Sequence, residues 1–169
     1  MRAEGLFING VYREVLEEIL KVQSELPEHI MYLQPYSGGA IAHLRDAPPS
    51  VEEPMLLVLS VTEDLAQIHY AAELVGWDDK TRLSAAKRSV LNRIISALQP
   101  GEKELYDASM MEGGRSVNLL HVRRTRRVPR PFSVVRLIKT IDGTPVSDQR
   151  TTAGGWTYIR AEGVSELIQ

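Results

Sequence analysis

The chain has no cysteine. That one absence excludes disulfides, thiolate zinc sites and a cysteine nucleophile. Long apolar runs are missing too. The strongest, MLLVLSV at 55–61, is too short to span a bilayer, and the opening MRAEGLFING carries no apolar core of the kind a secretory signal needs. These features predict a soluble, cytoplasmic protein without membrane contact. There is no glycine-rich phosphate loop of the Walker or dinucleotide type and no G-x-S-x-G nucleophile turn. His29, His43, His69 and His121 form no i,i+4 pair and no ligand-like cluster, so neither a metal nor another cofactor is expected.

Acidic residues are missing from one long stretch, and this absence is the informative one. Between Gly113 and Ile141 there is no Asp or Glu, while Arg115, Arg123, Arg124, Arg126, Arg127, Arg130, Arg136 and Lys139 supply eight cations. The whole chain has 20 Lys+Arg against 22 Asp+Glu, so the remainder holds 20 − 8 = 12 basic residues against 22 acidic ones. A net charge of −2 thus conceals a segment of +8 beside a remainder of −10. Such segregation makes a local positive field suited to a polyanion. The plain alternative is an edge strand charged to resist aggregation.

A length of 169 residues fits one domain, and 43% hydrophobic with 25% charged residues is an ordinary globular composition. GLFING reads as a first strand. VYREVLEEILKVQ places Val15, Leu16, Ile19, Leu20 and Val22 on one side, as an amphipathic helix does. HIMYLQPYSGG reads as a strand running into a turn, and DAPPSVEEP (46–54) as a proline-rich loop. MLLVLSV and AQIHYAAELVGW form a strand pair joined through TEDL, with Ile68, Tyr70, Ala72 and Leu74 sharing one face. From Asp78 or Asp79 the apolar spacing predicts a helix to about Leu98. The basic strand follows, then PFSVVRLIKT as a turn or short helix, and WTYI as the last strand. Strands with few crossover helices predict an α+β fold built on a mixed or antiparallel curved sheet, a small β-barrel with flanking helices.

Three aromatic residues stand at strand ends: Tyr36 beside Ser37 and a Gly-Gly turn, Trp77 before an Asp-Asp pair, and Trp156 after two glycines. Each is most simply a core or rim residue. Together they would line a pocket for a flat ligand such as an unstacked base.

The order of these segments resembles the YTH and EVE branches of the PUA-like superfamily. The matching residues are Leu59-Ser60-Val61, then Ala71-Ala72-Glu73-Leu74, then Pro145-Val146-Ser147 with Arg150. The resemblance covers most of the chain, residues 1–169 as a single domain, with the helix around 81–98 as an insertion. It implies a curved, barrel-like sheet and an aromatic pocket that receives a modified base flipped out of DNA or RNA. Tyr36, Ser37, Trp77 and Trp156 would form that pocket. Arg123, Arg124, Arg126, Arg127, Arg130 and Arg150 would hold the nucleic-acid backbone, Arg150 by its match to the family's loop arginine. Thr151 departs from the acidic residue usual in YTH domains, which sets N6-methyladenine level with a modified cytosine or another base.

The leading expectation is therefore a non-catalytic reader of modified bases, serving bacterial defence or RNA regulation alone or beside an effector domain. A nuclease like the related ASCH domains, using His69 or His121, is the enzymatic alternative. A protein-interaction module whose basic strand meets an acidic partner is the third.

Overall fold

The computed structural model describes residues 2–33, 43–81 and 117–169. Its elements are β1 (Glu4–Val11), α1 (Arg13–Gln23), β2 (Met31–Leu33), β3 (Met55–Val61), β4 (Gln67–Thr81), β5 (Val117–Ser133), a 3-10 turn (Val134–Arg136), β6 (Trp156–Arg160) and α2 (Val164–Leu167). The strands form a six-stranded sheet in the order β2-β5-β4-β3-β1-β6. β1 and β3 are parallel, and the other pairings are antiparallel. This is the expected mixed α+β architecture. Its strand order is that of an open sheet, with β2 and β6 at the edges among the described residues.

β3 lies inside the sheet, and all seven of its residues are buried. A continuous apolar run is what a strand needs when both sheet faces are covered. On one face α1 packs through Val15, Leu16 and Ile19 against Leu6, Leu57, Leu59, Tyr70 and Leu74. On the other, Phe7, Leu56, Val58 and Ile68 meet Val134, Leu137, Val146, Val164 and Ile168 from the C-terminal third. Each Leu, Val or Phe so buried contributes roughly 1.5–3 kcal/mol before conformational entropy is set against it.

Two irregularities in the β4–β5 pairing shape the basic strand. Glu73 pairs with Arg123 and Ala71 with Arg126, so Arg124 and Thr125 together oppose Ala72. Arg124 takes the extra residue's conformation, with φ of 50°. Further on, Tyr70 pairs with Arg127 and Ile68 with Phe132, which leaves residues 128–131 opposite His69. Pro129 and Pro131 fall inside this bulge, where the missing N–H groups cost no ladder hydrogen bond. β4 itself departs from the expected face assignment between Ile68 and Tyr70, where its register with β5 shifts. Ile68 joins the second cluster with Ala71, while Tyr70, Ala72 and Leu74 belong to the first.

The other revision concerns the start of the expected helix. β4 continues through Asp78 and Asp79 to Thr81, and Thr81 pairs with Val117. Cross-strand pairing overrides the capping signal of the two aspartates. The remainder of the expected 81–98 insertion lies outside the described residues.

Candidate nucleic-acid interface

The arginines of β5 meet different fates. Arg123 is 7% exposed, and its guanidinium donates to Glu28 at 3.1 Å, to Glu73 at 3.3 Å and to the Val51 carbonyl at 3.0 Å. Arg124 donates to Glu28 at 2.6 Å and reaches both carboxylate oxygens of Glu73 at 3.4 and 3.2 Å. Its pKa stands above the ordinary value, first through the hydrogen bond to Glu28 and then through the charge of Glu73. Arg127 donates through Nε to the two oxygens of Glu17 on α1 at 3.1 and 3.2 Å, and the same contact raises its pKa. Three of the six backbone candidates are therefore neutralised inside the fold.

Arg150 is also engaged. Its Nε donates to the Ser147 carbonyl at 2.7 Å and its Cζ lies 4.9 Å from the centre of the Phe7 ring. Partial burial pulls its pKa below the ordinary arginine value. Arg126 and Arg130 are exposed and make no hydrogen bond or ion pair with any described residue; the same holds for Arg136 in the 3-10 turn. After internal pairing, these three side chains are what the described part of the basic segment offers to an outside anion. They follow one another from β5 through its proline bulge into the next turn.

The local backbone explains this sorting. Gln23, at the end of α1, is 2% exposed. Its amide donates to the carbonyls of His29 at 2.8 Å and Val122 at 3.0 Å, and its oxygen accepts from the Thr125 N–H at 2.9 Å. The Arg124 N–H donates to the Pro27 carbonyl at 2.9 Å. One buried amide thus grips β5 at Val122, ahead of the bulged pair, and at Thr125 within it. Arg123 and Arg124 are held where Glu28 and Glu73 converge. Nothing in the charge pattern announced Gln23; its place four residues beyond Ile19 on the buried helix stripe was the available signal.

The described aromatic candidates, Trp77 and Trp156, are not gathered into one pocket. Trp156 pairs with Ile8, and that row continues through Leu59 to Tyr70 on β4. Trp77 is seven residues further along β4. At the usual rise per strand residue, the offset along the sheet is roughly 20 Å, with β1 and β3 intervening. One base cannot touch both rings, so the expectation of a shared Trp77–Trp156 cavity is corrected. Trp156 is placed by a different task. The Asn9 amide donates to the carbonyls of Thr152 and Gly154 at 3.0 and 2.9 Å, tying the Gly-Gly loop to β1 just ahead of the strand it begins. Gly10 beside it has φ of 78°, and a Cβ there would lie 2.6 Å from that of Ala153.

Trp77 is half-buried and packs on the α1-side cluster, whereas Arg126 borders the opposite face. Its row passes through Leu120 to Leu33, the last residue of β2. Tyr36 and Ser37 lie outside the described residues.

The histidines do not converge either. His121 pairs through Nε2 with Asp78 at 2.9 Å and meets the edge of Tyr32 at 5.2 Å, while His69 pairs with Asp64 at 2.8 Å. His69 and the Gly76 that opposes His121 are seven residues apart on β4, so each histidine serves its own carboxylate. Among the described residues no group of three His, Asp or Glu side chains could hold a metal ion, and no helix is long and apolar enough to cross a membrane.

Beside Arg126 the sheet opens into a cavity of about 250 Å³. Leu56, Ala71, Ala72 and Ile168 form its apolar surface, and Glu73, Arg124 and Arg126 its polar rim. Sequence reading missed it because it depends on the bulge at Arg124 and on the docking of α2. No family model, no curated protein and no solved structure matches the chain.

Proposed function

We propose that the protein is a non-catalytic nucleic-acid-binding module that contacts few phosphates, through Arg126, Arg130 and Arg136. The observation that carries this reading is that three exposed guanidiniums in series have no partner among the described residues, after Glu17, Glu28 and Glu73 have taken Arg123, Arg124 and Arg127. Phosphate contacts of this kind position a strand and supply most of its salt-sensitive affinity. Arg124 and Arg127 are poor phosphate ligands while paired, because engaging them strands a carboxylate beside the incoming charge.

Base reading, which the resemblance to YTH and EVE domains implies, falls in this proposal to Trp77 with Tyr36 and Ser37, and Trp156 leaves the set. Binding of matched modified and unmodified oligonucleotides, single- and double-stranded, tests both parts. Trp77→Ala is expected to remove the preference for the modified base and Trp156→Ala to retain it. Absence of salt-dependent binding to every oligonucleotide would refute the proposal.

A further inference from the structure

The ion pairs of β5 differ in how they can be undone. Arg123 and Glu73 meet with side chains 8% and 10% exposed, and Arg124 is shared between two carboxylates, Glu28 and Glu73. Opening the first strands a buried charge, and the second is held twice. Arg127 has a single carboxylate partner among the described residues, Glu17, and the two side chains are 66% and 32% exposed. A pair so open to water adds little stability, so a phosphate can rival the carboxylate for that guanidinium.

The Glu17 carboxylate is aimed. The hydroxyl of the buried Tyr70 donates to its Oε2 at 3.1 Å, which turns both oxygens toward the Arg127 Nε at 3.1 and 3.2 Å. Arg127 also follows Arg126 directly in the chain. β2 pairs only with Leu120–Val122, so from Arg126 onward β5 has a neighbouring strand on one side alone among the described residues. Arg126, opposite Ala71, and Arg127, opposite Tyr70, leave the two faces of that free rim. Their Cα atoms are about 3.8 Å apart, as in any trans-linked pair, so phosphates gathered at Arg126 come close to Arg127 as well.

We propose that Glu17 is an autoinhibitory contact: it stands in for a phosphate on Arg127 and keeps a fourth cation out of the nucleic-acid interface. This regulation rests on the nucleic-acid reading above. Removing the charge of Glu17 frees Arg127 for the bound strand, and Gln in its place keeps an acceptor for the Tyr70 hydroxyl. Anisotropy of labelled single-stranded and duplex oligonucleotides on the full chain, between 50 and 200 mM KCl, measures the effect. Glu17→Gln should steepen the salt slope by about 0.7–0.9; counterion release alone should then tighten binding about 8- to 15-fold at 50 mM and about 3- to 4-fold at 200 mM. Adding Arg127→Ala to that variant should return the slope to the wild-type value. Glu14→Gln makes the same change of net charge one turn earlier on α1, at a residue with no ion partner among the described residues, and should leave the slope unaltered. Circular dichroism checks the fold of each variant. A Glu17→Gln slope equal to that of the wild type, a steeper slope that survives Arg127→Ala, or equal steepening by Glu14→Gln would overturn the autoinhibitory role and leave Arg126, Arg130 and Arg136 as phosphate ligands. Absence of salt-dependent binding in the wild type and in Glu17→Gln alike would overturn both readings.

Discussion

The salt dependence of oligonucleotide binding separates the observed pairing from a simple count of arginines. Each phosphate neutralised releases condensed counterions, and log K falls against log salt with a slope of about −0.7 per contact for single strands and −0.9 for duplex. Among the described residues of the basic segment, Arg126, Arg130 and Arg136 are the unpaired cations, so the slope expected from them is about −2 to −3. Raising KCl from 50 to 200 mM should then weaken binding about 20- to 40-fold. Had all six arginines named from the sequence been available, the slope would be about −4 to −5 and the loss about 300- to 2,000-fold. Fluorescence anisotropy on a labelled oligonucleotide measures the difference directly. Arg126→Ala should flatten the slope by about 0.7–0.9, whereas Arg127→Ala should leave it unchanged, because Glu17 already neutralises that side chain. A wild-type slope of −4 or steeper, or equal effects of the two substitutions, would falsify the reasoning.

Other expectations follow from the same side chains. Glu73→Gln leaves Arg123 and Arg124 short of a counter-charge in a site where the Arg123 and Glu73 side chains are 8% and 10% exposed, and should cost about 3–5 kcal/mol by urea denaturation; the double change with Arg123→Met should recover much of that loss. Gln23→Leu removes three buried hydrogen bonds to the backbone and should destabilise by about 3 kcal/mol or more, with changed amide shifts at Arg124 and Thr125. Asp142 accepts from the hydroxyl and the N–H of Thr144, which hold its pKa below the ordinary carboxylate value. Its folded value is depressed, so its stabilisation is present above the unfolded pKa and is lost as pH falls through the lower folded one; a carboxyl NMR titration checks this, and Thr144→Val should bring the value back up.

Much of the scaffold was legible in the chain. The seven-residue apolar run of β3, the helical stripe of α1 and the basic strand all appear where their patterns placed them. The pairing of the arginines was not legible, because the acids that meet Arg123 and Arg127 lie 95 and 110 residues away and only the folded sheet brings them together. The bulge that holds Pro129 and Pro131 went unread in the basic strand, and so did the switch of Ile68 to the second face. Period-2 reasoning fails wherever an extra residue enters one strand. The pairing of Trp77 with Trp156 fared worst. Position at a strand end does not say which end of the sheet that is, and the register put Trp77 and Trp156 far apart.

Glu17 rides on α1 and Glu28 on the segment just after it, so the first helix acts as an internal counter-ion for the strand it covers. A short oligonucleotide meets a surface already quenched and has only the leftover cations to use. A long, dense polyanion competes with the helix itself: each guanidinium it captures beyond those leftovers must be taken from a carboxylate anchored to the hydrophobic core. On the proposed nucleic-acid role, selection against indiscriminate polymer binding is coupled to how firmly that helix is seated.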